Sequence, residues 1–349
     1  VKSTKYIVQN WKVLLNIVTV SILIIIIFVL RHDIFSTFSN LTHVNALVLL
    51  ALIPIEALNY HAQAKLYQGL FGVVGNKIKY NFLYKLSLEM NFVNNVFPTA
   101  GVSGVSYFGL RMRSDEISGG KASLVQLIKL TLIFLSFEVL LIVGLILIAL
   151  AGRVNDVTIL VATLVSTLTV VLTSIFVYII GSRARINAAF IFFTKLINRI
   201  IHTVRRGYPE TIKLDRVKAN VDELHDNYKL ISSDYRQLKM PFAYAFLANF
   251  TEVLAIYAVY VAFGHWVNLG AVIIAYAVAN FAGLIAILPG GLGVYEAIMT
   301  AVTAVAGISV KLSIPVVVCY RVLNTLIQMP PGYYYYHKAL NHRQEKTES

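Results

Sequence analysis

Six ionisable side chains fall inside stretches apolar enough to be buried in lipid: Glu56, Glu89, Glu138, Glu252, Glu296 and Arg321. Each costs on the order of 3 kcal/mol at a bilayer centre unless it is paired or hydrated. Their chemistry is therefore ion pairing, proton carriage or recognition of a charged ligand. Arg321 lies about a third of the way into its apolar stretch, too deep for a charge that only records topology, and its planar fork suits a phosphate or a carboxylate. Glu296 ends the run ILPGGLGVYE, and three roles fit it: pairing with Arg321, facing a cavity, or capping the helix that restarts there. Glu56 follows Pro54 by two residues, and Glu252 sits within a later apolar stretch. Glu138 has Lys129 as its nearby same-helix cation, about 13 Å away along the axis, so its partner must come from another helix or from water.

These charges sit among breaks in the apolar pattern. Pro289, Gly290, Gly291 and Gly293 interrupt a tract over 269–306, and Pro98, Gly101 and Gly104 interrupt an earlier one over 82–110. Proline breaks a helix and glycine permits a tight reversal. Irregular backbone at membrane depth is tolerated only where protein or a water-filled cavity covers it, so both breaks mark the interior and a substrate-binding site. Helices restarting near Gly104 and Gly293 would turn N–H groups and positive dipole ends inward, which favours an anionic ligand. The competing role is close packing, which small residues also allow. Asn95, with Asn91 and Asn94, brings amides to the first break, either to hold a ligand or, the favoured role, to satisfy freed backbone groups. Arg111, in GLRMRSDE, closes the first interrupted region, as a topology anchor or a contact for lipid phosphate.

The elements that must position these residues are membrane helices. The 349 residues are 58% hydrophobic and 13% charged, with mean hydropathy +0.71, too apolar for a soluble domain. We expect an all-α polytopic membrane protein with six full spans, near 13–30, 44–64, 124–150, 157–180, 240–263 and 312–336. The interrupted regions are read as two re-entrant broken-helix hairpins. With that topology nearly all of the 30 Lys and Arg fall on one face, leaving Arg31, Arg153 and Lys311 on the other, as the positive-inside rule requires. The formal charge of +13 thus records topology, and nucleic acid is not an expected partner. Both termini and residues 182–239 are expected to be cytoplasmic, in a multi-pass protein of the cell membrane. The first hairpin then enters from the cytoplasm and the second from outside, an inverted repeat. Its parts are an N-terminal membrane half (1–181), a cytoplasmic helical segment (182–239) and a C-terminal membrane half (240–349).

Within 182–239, residues 186–204 read as a basic amphipathic helix suited to an anionic leaflet. Residues 217–238 carry apolar side chains at alternating spacings of four and three, a seam for the first helix or a second copy of the chain. The tyrosines of PPGYYYYHKAL read as an aromatic belt at the membrane boundary. Cys319 reads as a small buried apolar residue. No P-loop, His-Glu-x-x-His or Gly-x-Ser-x-Gly motif is present, and no metal or cofactor is expected.

PTAGVSGVSYFGLRMR, LPGGLGVYEAI and CYRVLN, in this order and spacing, resemble the transmembrane region of bacterial lysylphosphatidylglycerol synthase/flippase proteins and their stand-alone relatives. Where that family usually carries an acidic residue in the first motif, this chain has Val105, Ser106 and Tyr107. The resemblance implies a flippase-like protein whose substrate is a membrane lipid with an anionic headgroup: a phospholipid such as phosphatidylglycerol, a glycolipid or a lipid-linked precursor. It does not imply an enzyme, because the aminoacyltransferase domain of two-domain relatives has no counterpart in these residues. The alternative is a membrane scaffold or regulator that recruits a lipid-synthesising enzyme through 182–239.

Overall fold

The computed structural model describes residues 44–96, 102–115, 117–152, 156–188, 191, 234–285 and 294–348. Among them ten helices follow one another: α1 (Ala46–Leu50), α2 (Leu52–Val73), α3 (Tyr80–Val96), α4 (Val102–Ser114), α5 (Gly119–Leu150), α6 (Asp156–Ile180), α7 (Lys239–Ala262), α8 (Leu269–Ile285), α9 (Val294–Val305) and α10 (Val310–Glu348). Five helical segments are long and apolar enough to cross a membrane: Ala46–Val73, Gly119–Leu150, Ile159–Ile179, Tyr235–Ala262 and Val310–Asn341. They match five of the expected spans, and the all-α polytopic fold is borne out. The span expected at 13–30 and most of 182–239 lie outside the described residues.

Helices α3, α4, α8 and α9 have 17, 13, 17 and 12 residues. At about 1.5 Å per residue each is shorter than the ~30 Å bilayer core, so none crosses alone. They pair as α3 with α4 and α8 with α9. The first pair runs antiparallel, because Glu89 meets Arg111 while Asn94 meets Gly104. The pairs enter from opposite ends of α5. Ile117, just past α4, packs with Ala122 and Leu124 at the start of α5, whereas Asn268, just before α8, donates from its amide to the Leu147 carbonyl near its end (3.3 Å). Phe281 of α8 then reaches the middle of α5, where it stacks on Phe134 with ring centroids 5.5 Å apart.

Chain spacing repeats as well. α2 ends at Val73, and α3 begins seven residues later at Tyr80; α7 ends at Ala262, and α8 begins seven residues later at Leu269. Gly75 and Gly264 follow α2 and α7 with φ of 79° and 80°, the left-handed conformation that closes a helix at glycine. Thus α2 to α5 and α7 to α10 are two copies of one arrangement of opposite entry.

The two halves interlock. α7 lies along α2, and small residues bring them together: a Cβ on Gly69 would meet Pro241 Cγ at 3.0 Å, and Ala64 and Ala245 are fully buried beside it. The same device seats α8 on α5, where a Cβ on Gly270 would come within 2.3 Å of the Gly144 carbonyl oxygen. One apolar cluster joins α5, α7, α8 and α10, and it contains Cys319, fully buried as expected.

Two expectations change. The span expected to end near residue 64 continues to Val73. Lys65 is therefore part of the helix, its ammonium donating to Gln68 Oε1 (3.1 Å) and lying 5.2 Å from the Tyr80 ring centre. The second correction concerns the tyrosine cluster, which is not merely a boundary belt. α10 runs on through Pro330 and Pro331, which remove two helical donors. Tyr336 is buried with Phe92, Val93 and Val96, at 5.3 Å from Phe92 and 5.4 Å from Tyr107. Of the four tyrosines Tyr334 is the exposed one, at 58%.

Candidate functional site

Helices that carry only apolar faces can seal against one another, but five of these carry polar side chains one turn apart on a single face, and a sixth adds a lysine. They are Asn59 and Gln63 on α2, Asn91 and Asn95 on α3, Lys129 on α5, Asn249 and Glu252 on α7, Tyr276 and Asn280 on α8, and the row Tyr320, Asn324, Gln328 on α10. Spacings of three or four residues put such pairs on one face. The faces converge on a cavity of about 300 Å³, completed by Tyr295, Arg321 and Thr325 among others. That is the lower end of ligand-pocket volumes, large enough for a polar headgroup and too small for acyl chains as well.

The α10 row links two carboxylates. Tyr320 donates its hydroxyl to Glu252 Oε2 (2.5 Å), Asn324 donates to the Tyr320 oxygen (3.2 Å), and Gln328 donates both to Asn324 Oδ1 (2.5 Å) and to Glu56 Oε2 (2.7 Å). Asn91 donates to Gln328 and to the Tyr60 oxygen, tying α3 to the same network. Asn59 fixes α2 on α7 by donating to the Ala248 carbonyl (2.8 Å) and Thr251 Oγ1 (2.9 Å). A satisfied polar network of this kind is rigid in low dielectric. Its amide links hold the carboxylates in place but do not pass protons as hydroxyls do.

Both cations of the cavity wall rest on tyrosine faces. Arg321 lies 4.9 Å from the Tyr295 ring centre, and its Nε donates to Glu296 Oε1 at 3.1 Å. Pairing, one of its three candidate roles, is thus fulfilled by Glu296. Lys129 lies 4.3 Å from the Tyr67 ring centre and donates to its hydroxyl at 2.8 Å.

Of the residues singled out by sequence, Glu252, Arg321 and Asn95 line the cavity, Glu56 is one hydrogen bond behind Gln328, and Glu296 is held by Arg321. Asn95 donates to the carbonyl (3.0 Å) and side-chain oxygen (3.1 Å) of Asn91, one turn back on the same helix. Three others are used elsewhere. Arg111 pairs with Glu89 (Nε to Oε2, 2.9 Å), and Tyr107 donates to the same carboxylate (2.8 Å). A carboxylate thus reaches the α4 motif from α3, although the motif itself has none. Gly104 does not aim its N–H at the cavity, because Asn94 Oδ1 accepts it (3.0 Å). A Cβ there would lie 2.2 Å from that oxygen, which explains the glycine. Glu138 accepts from Ser166 on α6, the partner from another helix that its isolation demanded. Pro98, Gly101, Pro289, Gly290, Gly291 and Gly293 lie outside the described residues.

Sequence reasoning missed Asn59, Gln63, Asn249, Tyr276, Asn280 and Gln328 as site residues. The signal that finds them is amide and hydroxyl side chains recurring at helical spacing inside apolar spans; the search for charges alone passes over it.

Comparison with known proteins agrees with this architecture. The chain is 27% identical over 127 residues to a UPF0104 membrane protein of Methanothermobacter thermautotrophicus, an alignment covering 36% of this chain and 38% of that relative. The profile of the family described as the lysylphosphatidylglycerol synthase TM region matches residues 13–332. A match over nearly the whole chain, on a fold of two oppositely entering hairpins around a polar cavity, makes this a multi-pass membrane protein of the lysylphosphatidylglycerol synthase transmembrane-region family.

Proposed function

We propose that the protein moves a phospholipid, glycolipid or lipid-linked precursor between membrane leaflets, its headgroup passing through the cavity while the acyl chains stay in the bilayer. The observation that carries this reading is the cavity itself, walled by polar residues from both repeats at membrane depth. A packing device has no use for so many buried amides and carboxylates, each of which is costly in lipid. The volume of about 300 Å³ fits a headgroup alone, so transfer needs no chamber for the tails. Arg321 on the cavity wall and Glu296 paired with it keep that wall polar and its charge balanced. Their pairing also limits the loss of stability while the cavity holds no charge.

The test is leaflet distribution. Glu296→Gln and Arg321→Ala are expected to lower exposure of the transported lipid on the outer leaflet, with both variants folded and inserted as wild type. An unchanged distribution in both would count against transport through this cavity.

A further inference from the structure

We infer that Lys129 is the anion-binding cation of the cavity, seating the phosphate of a lipid headgroup, and that Arg321 is not. The inference rests on the transport reading above and assigns a residue of this chain to one part of that ligand.

Lys129 and Arg321 occupy corresponding places in the two repeats. Lys129 is the eleventh residue of α5 and Arg321 the twelfth of α10, both line the cavity, and each stands over a tyrosine ring, Tyr67 or Tyr295. Their charges are balanced differently. Arg321 has Glu296 at 3.1 Å. Lys129 makes no ion pair among the described residues, and its hydrogen bond goes to a neutral hydroxyl.

Lys129 lies about 15 Å along the axis from the α5 N-terminus, and its ammonium turns to the Tyr67 hydroxyl rather than toward the helix end. Here the ammonium is held back. Tyr67 is fully buried, stacks on Phe108 at 5.2 Å, and exchanges hydrogen bonds with Gln126, so the ring that carries Lys129 is itself fixed. An ammonium has three donors, and Tyr67 takes one. The others are available to oxygen ligands in the cavity, where the amides of Gln63 and Asn95 also stand. A compact ammonium without a carboxylate partner gains more from an incoming phosphate than a guanidinium already paired.

Two measurements on the full-length protein separate this claim from the transport reading. The first is retention of phosphatidic acid against diacylglycerol with the same acyl chains, followed by native mass spectrometry of purified protein. Wild type and Arg321→Gln are expected to retain phosphatidic acid preferentially, Lys129→Gln to lose that preference at least tenfold, and Lys129→Arg to keep most of it. Equal preference in wild type and Lys129→Gln overturns the assignment, as does a tenfold loss in Arg321→Gln alone. Displacement of phosphatidic acid by an equal concentration of inorganic phosphate overturns the lipid as occupant. The second is transbilayer movement of a fluorescent phosphatidylglycerol in vesicles of zwitterionic lipid. If the wild type moves none, the transport reading fails while the binding result still decides Lys129. If it does, Lys129→Gln is expected to slow it at least tenfold, and an unchanged rate overturns the assignment.

Discussion

The two hairpins share length, spacing and opposite entry, yet they use their carboxylates in different ways. In the first, Glu89 is kept within the hairpin, bonded to Arg111 and Tyr107 of the partner helix, with 2% of its side chain exposed. In the second, Glu296 reaches out of the hairpin to Arg321 on α10, in a pair with about a fifth of each side chain exposed. One hairpin is closed upon itself; the other is fastened to the cavity wall. A repeat in backbone therefore need not be a repeat in role, and the hairpin whose ion pair borders the cavity is the one placed to respond to a ligand.

The sharpest way to break this comparison is Glu89→Gln. Removing one member of a buried pair leaves the other uncompensated, at about 3–5 kcal/mol. We expect a large drop in the unfolding midpoint in detergent, read by circular dichroism; a shift no larger than that of an exposed site would remove the structural role of the first hairpin. Gly332→Ala comes next. Its Cβ would lie 2.7 Å from Phe92 Cβ and 2.9 Å from the Leu88 carbonyl oxygen, forcing α10 away from α3 at about 1–3 kcal/mol. The same melting curve checks it, with Gly109→Ala, which meets nothing within 4 Å, as control. Arg321→Gln should have the smallest effect on stability, because the Glu296 it leaves behind keeps about a fifth of its side chain exposed to water, against 2% for Glu89. A loss as large as that of Glu89→Gln would mean that the two hairpins are built alike.

Much of this arrangement was legible from residue order. The apolar runs located five described helices, because lipid imposes continuous helical hydrogen bonding wherever the pattern is unbroken. Arg321 and Glu252 were found because charge in a span is conspicuous. The rest depended on relations between helices. Glu89 and Arg111 are 22 residues apart, and only the antiparallel packing of α3 on α4 brings them to 2.9 Å. The tyrosines of α10 resembled a boundary belt because sequence could not show that the helix continues through two prolines to pack on Phe92. Gln328 and Asn59 carry no charge and were invisible to a search for ionisable groups, although they connect and anchor the site.

Passage of a headgroup through the cavity is tested most directly by filling it. Thr325 lines the cavity, while its neighbour Leu326 faces outward with 57% exposure, so tryptophan at either position enters the same turn of the same helix. Transbilayer movement of fluorescent phospholipid in reconstituted vesicles should fall at least tenfold in Thr325→Trp and stay within twofold of wild type in Leu326→Trp. Equal rates in the two variants would contradict passage through the cavity.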